Sequence, residues 1–298
     1  MKITAKFAAA AFGAVAFSSA ALAGSVTPPG ERAGLDLASP LPEGVYFLNI
    51  GSVGSWRGSN TDNAFDYDVP ILAWSTPWSV LGGRIQLLGA VPVISASSRG
   101  GIYERGLYNP FVAGQIAWNL GNGFSVSYLA GAYIGITGTH VYDNNGVIAV
   151  RDPLNQTTFH QQLALAWHGD GWNATANLMY GIVGDNDTAG YWTKQNADYF
   201  NYDLGLTKTL GKWEIGIVGY GSTDVGTPRR AAGASYVQLS QFALGGLIGY
   251  NFGPVITQAT VSSDVTTSGY AQKETRGVLR TIIPLWNPEA PKAVVAKY

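Results

Sequence analysis

The chain contains no cysteine and few charged residues. The absence of cysteine among 298 residues excludes disulfide bonds and any metal site built on thiolates. Charged residues make up 12% of the chain, whereas soluble domains usually carry about 25%. The net charge is −1, and no basic patch of the size that nucleic acid requires is present. We therefore expect no nucleic-acid partner.

Long apolar runs are also scarce, and the one at the N-terminus is short. Lys2 and Lys6 precede an alanine-rich apolar stretch that ends near Phe17, and Ala-Leu-Ala follows at 21–23. The stretch is shorter than the ~20 residues that a transmembrane helix needs. A positive start, a short apolar stretch and small residues at the cut are typical of a secretory signal. We predict a cleaved signal peptide over residues 1–23; a transmembrane anchor is the alternative.

The rest of the chain shows alternating polarity. The full chain contains 39 glycines, and 12% of its residues are aromatic. Because successive side chains of a strand point to opposite faces, such segments present one apolar and one polar face, as strands between lipid and a polar lumen do. Twelve candidate strands lie at about 44–57, 63–76, 83–95, 107–120, 124–137, 157–168, 172–184, 198–210, 213–224, 235–252, 255–266 and 274–286.

The connections between these strands alternate in length. Links after even-numbered strands are short and those after odd-numbered strands are mostly longer, as in outer-membrane barrels with short periplasmic turns. We predict an all-β fold, a transmembrane antiparallel up-and-down β-barrel of 12 strands over residues 44–286. An extended periplasmic lead-in at 24–43, too short for a folded plug, should precede it, and a tail at 287–298 should follow. A soluble β-sandwich is the alternative.

Tryptophan positions support the barrel independently. Indole rings favour the boundary between lipid and water, because the ring is apolar while its N–H stays hydrated. Seven of the nine tryptophans lie close to a short turn or to the end of the last strand, whereas a soluble core would not sort them in this way. The predicted periplasmic aromatic girdle consists of Trp74, Trp78, Trp118, Trp167, Trp172, Trp213 and Trp286.

Three segments resemble the outer-membrane family named for the meta-pathway of phenol degradation. They are Pro-Glu-Gly-Val-Tyr-Phe at 42–47, the Trp-x-x-Gly-x-Gly-Phe turn at 118–124 and the ending at 274–286. The resemblance covers about 40–286. It implies an outer-membrane barrel that carries aromatic or other hydrophobic compounds, with outer-membrane lipid and the barrel assembly machinery as partners. It supplies no catalytic residues. Because residues 287–298 follow the last strand, either 282–286 or 294–298 could serve as the assembly signal.

Alternation also predicts which side chains face the lumen. The inward charged residues would be Asp66, Asp68, Arg84, Asp203, Glu214, Asp264, Glu274, Arg276 and Arg280. They carry both signs, so they could form a salt-bridged filling or a polar ladder along a transport path. The inward apolar residues would be Phe47, Leu72, Leu88, Phe111, Tyr133 and Met179, which could contact a hydrophobic solute or only fill space. Twelve strands lie between filled eight-stranded barrels and open porins.

The sequence therefore predicts passive uptake of a small hydrophobic or aromatic compound. Capture would use the loop aromatics Tyr103, Tyr108, Tyr142, Tyr191 and Trp192, and passage would follow Phe47, Phe111 and Tyr133. A structural or adhesive barrel with a sealed lumen is one alternative. The other is a lipid-modifying enzyme that uses His160 as a base beside a serine.

No cofactor, metal or catalytic residue is predicted. The segment at 185–190 begins like a calcium loop, but Ala189 stands at position five, where an oxygen ligand is required, and Asn196 stands at position twelve, where Glu is required. We therefore interpret the segment as a polar outer loop.

Overall fold

A computed structural model describes residues 25–56, 63–98, 103–136, 139–142, 148–151, 156–184, 186–188, 191–193, 196–226, 236–270 and 273–288. Among these described residues, no helix is both long and apolar enough to cross a membrane. The described residues form eighteen strands: β1 (Gly44–Trp56), β2 (Asn63–Val80), β3 (Gly83–Ala90), β4 (Val93–Ser98), β5 (Tyr103–Leu107), β6 (Phe111–Gly121), β7 (Phe124–Tyr133), β8 (Thr139–Tyr142), β9 (Ile148–Arg151), β10 (Thr158–Gly169), β11 (Trp172–Val183), β12 (Asn186–Thr188), β13 (Tyr191–Thr193), β14 (Asp198–Leu210), β15 (Trp213–Val225), β16 (Ser240–Asn251), β17 (Ile256–Ser268) and β18 (Glu274–Trp286).

Twelve of the strands in the described part close into an antiparallel barrel. β1 pairs with β2 on one side and with β18 on the other, so these twelve strands form a closed cylinder. The order around the barrel is β1, β2, β3, β6, β7, β10, β11, β14, β15, β16, β17 and β18. The predicted twelve-stranded antiparallel barrel is confirmed. β4, β5, β8 and β9 extend the wall beyond β2, β3, β6 and β7, and β12 pairs with β13 as a separate hairpin.

Side chains alternate across the wall as a strand requires. In β10, Leu163 and Leu165 are 40% and 43% exposed, whereas Gln162 and Ala164 between and beside them are buried. The outer surface of the barrel is apolar, and most of the lumen is lined by polar or small side chains. This is the pattern of a barrel whose outside meets lipid.

The short turns are set by local chemistry. Asn122-Gly123 and Asp170-Gly171 have positive φ at both residues, as tight hairpins with a type I′ turn require. β2 extends to Val80, beyond the predicted end at 76. The extension is held across an irregular pairing, because the hydroxyl of Thr76 donates to the carbonyl oxygen of Ile85 at 2.8 Å.

Two predicted strands are interrupted. The segment predicted as one strand over 83–95 forms β3 and β4, separated at Val91 and Pro92, and the segment over 107–120 forms β5 and β6, separated at 108–110. Each break contains a proline, which has no N–H to donate to a neighbouring strand. The wall therefore changes register at this level.

Residues 25–42 lie inside the barrel. Ser25, Thr27, Ala33 and Ala38 are all at most 1% exposed, and their segment hydrogen-bonds to inward side chains of strands around the barrel. We predicted an extended periplasmic lead-in that was too short for a folded plug, and that prediction is wrong. We call residues 25–42 the plug. The barrel wall supplies the partners that so short a segment could not supply for itself.

Candidate functional site

The plug is anchored most directly by Asp203 on β14. Its carboxylate accepts the backbone N–H groups of Gly30 at 2.9 Å and Arg32 at 2.8 Å. Both hydrogen bonds have a buried, charged acceptor, and such bonds are stronger than those between neutral groups. Asp203 therefore fixes the path of the plug backbone across the lumen.

Two neighbouring amides hold the flanks of the same turn. The Asn177 side chain on β11 donates to the carbonyl oxygens of Arg32 and Leu35, at 3.1 and 3.0 Å. The Asn201 side chain on β14 donates to the Ser25 hydroxyl oxygen at 2.8 Å and to a carbonyl oxygen two residues further on at 3.0 Å. The plug is therefore held against the β11–β14 wall through its backbone.

Arg280 reaches the plug from β18. It is 1% exposed, and its guanidinium donates to the carbonyl oxygens of Glu31 at 2.9 Å and Gly30 at 3.3 Å. Burial raises the pKa of the Glu31 carboxyl above its ordinary value, and the adjacent Arg32 guanidinium opposes that shift. The two plug side chains pair at 2.9 Å.

The plug and the wall each have a glycine at a point where their backbones approach closely. A Cβ on Gly205 of β14 would lie 2.4 Å from the Cα of Gly34 in the plug. Gly34 itself has φ +79° and would clash with Leu247 if it carried a side chain. The plug and the wall touch backbone to backbone at this point, so neither position accommodates a larger residue.

His160 belongs to the plug contact and not to a catalytic arrangement. Its Nε2 lies 3.3 Å from Nη1 of Arg32, and its Nδ1 lies 3.1 Å from the Tyr199 hydroxyl. Because a guanidinium can only donate, Nε2 accepts and Nδ1 donates to the hydroxyl oxygen. The ring is fully buried, and Arg32 also donates to Gln162. The serine partner that the enzyme alternative requires is absent from the described surroundings of His160.

A second histidine lies near the turn end of the lumen. Nε2 of His168 is 2.8 Å from Asp36 and 3.4 Å from the Ser39 hydroxyl. A nucleophile triad needs the acid and the serine on opposite ring nitrogens, whereas here both face the same one. These contacts tie the plug to β10.

A buried ion pair lies towards the other end of the lumen. The Arg276 guanidinium pairs with the Glu274 carboxylate, both at most 2% exposed, and donates to the Ser52 hydroxyl at 3.0 Å. It also lies over the rings of Phe65 and Tyr67, 5.7 and 5.2 Å from their centroids. These contacts connect β18, β1 and β2, and none of them involves a residue of the plug.

An apolar cavity lies between the plug and one half of the wall. Apart from Glu31, Arg32 and Gln115, its lining is apolar or aromatic, and it comes from the plug, β1, β2, β3, β4, β6, β7 and the breaks between them. The lining residues are Val26, Pro28, Glu31, Arg32, Leu35, Leu37, Ile50, Phe65, Tyr67, Val69, Ile71, Leu88, Ala90, Pro92, Ile94, Tyr108, Phe111, Gln115, Leu129 and Tyr133.

The cavity is small. Its volume is about 60 Å³, below the ~150 Å³ of a cavity that holds benzene. A single small ring would therefore enter only with a rearrangement of the lining side chains. The rings of Phe111 and Tyr133 lie 4.4 Å apart at its edge.

Most predicted lumenal residues face inward. Phe111, Tyr133, Met179, Asp203, Asp264, Glu274, Arg276 and Arg280 are buried on the inner face, and Leu88 packs against the inner apolar cluster. Arg84 and Glu214 lie on the inner face near the short turns. Arg84 donates to the Thr76 carbonyl oxygen at 2.9 Å, and Glu214 accepts from Thr207 and Gln258.

Four predicted lumenal residues lie on the outer face instead. Leu72 is 53% exposed, and Phe47 is its register partner on the same face. Asp66 and Asp68 also point outward, because Phe65 and Tyr67 beside them are buried. The prediction failed because it assumed a polar inner face. Along β2 the inner face is apolar and lines the cavity, so the usual arrangement of a polar inner face and an apolar outer face is reversed.

The predicted capture residues are only partly described. Tyr108 is 3% exposed and lines the cavity, so it belongs to the wall and not to an outer loop. The side chains of Tyr103, Tyr142, Tyr191 and Trp192 lie outside the described residues, as does Asp185 of the calcium-like segment. Within the described part, no three His, Asp or Glu side chains are grouped as a metal site requires.

The seven predicted girdle tryptophans lie on the outer face near the short turns. Trp74 and Trp286 both pair with Val45 on adjacent strands, and Trp78, Trp172 and Trp213 are about half exposed. Trp118 and Trp167 are partly buried on the same face. Their position agrees with a band at one level of the barrel.

Comparison with models of known protein families identifies the family of the chain. The family model described as 'MetA-pathway of phenol degradation' matches residues 49–281. The chain belongs to this family. No curated protein sequence matches the chain.

The fold is shared with a solved outer-membrane barrel. A COG4313 outer membrane channel from Pseudomonas putida F1 is 13% identical, with a TM-score of 0.70 over 83% of this chain and 97% of the other. The β domain of the Bordetella autotransporter BrkA is 14% identical, with a TM-score of 0.48 over 81% and 98%. The protein therefore belongs to the family described by the MetA-pathway of phenol degradation and has the fold of outer-membrane β-barrels.

Proposed function

We propose that the barrel takes up small hydrophobic compounds, aromatic ones in particular, and that the cavity beside the plug is their binding site. The observation that carries the proposal is the apolar lining of the cavity in a lumen that is otherwise mostly polar. Apolar pockets with few polar groups are typical ligand sites. Uptake is passive, because neither the plug nor the described wall provides a feature that requires energy coupling.

The cavity chemistry favours an uncharged ring. Its two charged groups, Glu31 and Arg32, pair with each other at 2.9 Å, so neither is free to pair with an ionic ligand. Phe111, Tyr133 and Tyr108 present aromatic surface, and aromatic pairs add attraction beyond area burial. A sugar would leave its hydroxyl groups without partners on this lining.

The same geometry argues against the enzyme alternative. His160 is committed to Arg32 and Tyr199, and its burial beneath the plug keeps lipid away from the ring. We propose that the protein is not an enzyme. Purified protein should release no fatty acid from phospholipid or lipopolysaccharide.

Filling the cavity tests the proposed function. Ala90 lines the cavity on β3, so Ala90→Phe should occupy the space that a ligand needs. Ala176→Phe on the outer face of β11 is the matched control. We expect purified wild-type protein to bind benzene in equilibrium dialysis, Ala90→Phe to bind it at least tenfold more weakly, and the control to bind it normally.

Uptake by vesicles completes the test. Vesicles with a lipopolysaccharide outer leaflet should take up radiolabelled benzene faster with wild-type protein than with Ala90→Phe. Equal binding by wild type and Ala90→Phe would contradict the proposed site. Uptake of sugars alone would contradict the substrate class, and no binding or flux of any solute would favour a structural barrel with a sealed lumen.

A further inference from the structure

The plug separates the cavity from the turn end of the lumen. Below the cavity, Gln115 and Ser127 donate to the Leu37 carbonyl oxygen at 3.0 and 2.7 Å, and Ala38 packs on Ala164 and Ala166. Further down, Ser75 donates to the Leu41 carbonyl oxygen at 2.8 Å. An apolar solute that moved along the barrel axis would therefore have to displace a hydrogen-bonded polar segment.

The wall beside the cavity is weakened at one level by three prolines. In antiparallel sheets a hydrogen-bonded residue pair exchanges two N–H···O bonds, and proline cannot donate its share. Val91 donates to Pro70 at 3.3 Å, Tyr108 donates to Pro92 at 2.8 Å, and Ile134 donates to Pro110 at 2.8 Å. At three successive strand interfaces, therefore, the proline returns no bond. We call these three pairs the proline seam.

Register changes coincide with the proline seam. Ala90 pairs with Phe111 and Val93 with Leu107, so two residues on one strand face three on the next. Across the following interface, the partners change from Phe111–Tyr133 to Gly106–Thr139, so the pairing shifts there as well. Such bulges disrupt the ladder locally and increase strand twist.

Side chains partly replace the backbone ladder here. The Asn109 amide oxygen accepts the backbone N–H of Ile136 at 3.2 Å, and the Thr157 hydroxyl oxygen accepts that of Gly135 at 3.0 Å. Side-chain contacts can rearrange by rotation about single bonds, whereas a ladder of paired backbone groups cannot. The seam is therefore the part of this wall that opens most readily.

The seam joins the cavity to the outer surface. Its inner side, at Pro92 and Tyr108, lines the cavity, and its outer side carries Val91, Leu107 and Ile134, which are 43–49% exposed. Pro92 lies nine residues beyond the start of β3 at Gly83. At ~3.3 Å per residue and a tilt of ~40°, the seam is about 23 Å above that end, inside an apolar band ~25 Å tall.

We infer that solute leaves the cavity sideways through the proline seam into the outer leaflet of the membrane, and not along the barrel axis to the periplasm. This inference rests on the proposed function, because it concerns the same cavity and the same class of solute. The plug then acts as the floor of the cavity. The partner at the outlet is lipid acyl chain, which contacts the exposed valine, leucine and isoleucine side chains of the seam.

A disulfide across the seam tests the route, and the cysteine-free chain gives no background. Val93 and Leu107 are directly opposed, outward-facing residues one pair beyond Pro92 and Tyr108. Their pair is of the closer, non-hydrogen-bonded kind, which suits a disulfide. Ile215 and Ile248 form the matched control, an exposed, directly opposed pair of the same kind on the far wall.

The readout separates the route from the site. Oxidised V93C/L107C should bind benzene like wild type but deliver it into lipopolysaccharide-coated vesicle membranes at least tenfold more slowly, and reduction should restore the rate. Oxidised I215C/I248C should deliver normally. Wild-type delivery by the oxidised seam variant would overturn the lateral route while leaving the proposed function intact. Absence of benzene binding by wild type would instead overturn the proposed function.

A second variant decides the case if the seam disulfide fails to form. Pro92→Ala combined with Pro110→Ala returns two N–H donors to the wall without changing a charge. We expect delivery to slow at least threefold while the heat-modified gel mobility of the folded barrel is retained. Unchanged delivery by this folded variant would overturn the lateral route.

Discussion

Asp203→Asn should weaken the docking of the plug against the wall without disturbing the barrel. The carboxylate accepts two backbone N–H groups, from Gly30 and Arg32. An asparagine keeps one acceptor oxygen but turns an amide NH₂ towards the other N–H. One hydrogen bond to a charged acceptor is therefore lost, which is worth about 1.5–3 kcal/mol. In addition, one buried N–H donor loses its partner, at a further cost of ~1–3 kcal/mol.

Part of that cost is offset, because the variant no longer buries a charge when the plug docks. We therefore expect a net loss of about 2–3 kcal/mol, which at ~1.4 kcal/mol per factor of ten raises the equilibrium constant for plug release about 30- to 150-fold. The many other plug contacts keep the docked state dominant, so the change appears as a rate of exposure and not as a loss of structure.

Cysteine labelling measures this exposure directly. Ala33 is 1% exposed in the plug, and Ala33→Cys introduces the single thiol of an otherwise cysteine-free chain. A water-soluble maleimide should label A33C/D203N about 30- to 150-fold faster than A33C alone. A33C/D264N is the matched control, because Asp264 is also a lumenal carboxylate and accepts the backbone N–H of Glu274. Equal labelling of all three proteins would refute the anchoring role of Asp203.

Three further predictions follow from the wall and the plug. Glu274→Gln leaves the charge of Arg276 buried without its paired carboxylate and should lower the stability of the barrel by about 3–5 kcal/mol. The loss should appear as a lower temperature at which the gel mobility changes to that of the unfolded protein. Adding Arg276→Met should recover most of this stability. Deletion of residues 25–38 should leave a folded barrel with a higher single-channel conductance in planar bilayers, and unchanged conductance would contradict a plug that fills the lumen. Leu72→Arg should destabilise the protein in lipid by up to about 2–4 kcal/mol, because the side chain faces the membrane, whereas a lumenal position would tolerate it.

The barrel could be predicted because its signals are local. Strand alternation has a period of two, and turns such as Asn122-Gly123 carry their own conformational requirement. The interruptions at Pro92 and Pro110 were also visible as prolines within predicted strands. Their register changes could not be predicted, because the pairing that they disturb depends on neighbouring strands.

The plug could not be predicted in the same way. Its residues have no periodicity, and its partners are far along the chain, such as Asp203, which is 173 residues from Gly30. One signal did exist: Asn177, Asn201 and Asp203 all occupy inward positions on neighbouring strands, and buried polar groups require partners. A cluster of this kind in a barrel of twelve strands indicates that something polar fills the lumen.

The apolar cavity was missed because the prediction assumed one polarity rule for the whole barrel. Along β2, Phe65, Tyr67 and Val69 face the lumen while Asp66 and Asp68 face outward. An inner face that binds an apolar solute has to reverse the usual pattern. A strand whose aromatic and charged positions alternate is therefore ambiguous in phase until its neighbours are known.

The burial of Ser25 and Thr27 would set an order of events in maturation if the predicted signal peptide is removed. Both residues are enclosed by the wall, where the hydroxyl of Thr27 donates to that of Tyr133 at 2.9 Å. If cleavage follows Ala23 as predicted, the new amino terminus is Gly24, directly before Ser25. A precursor that kept its leader would have to accommodate those extra residues in the same confined space or leave the segment undocked. Proteolytic processing would then be the step that allows the lumen to be closed.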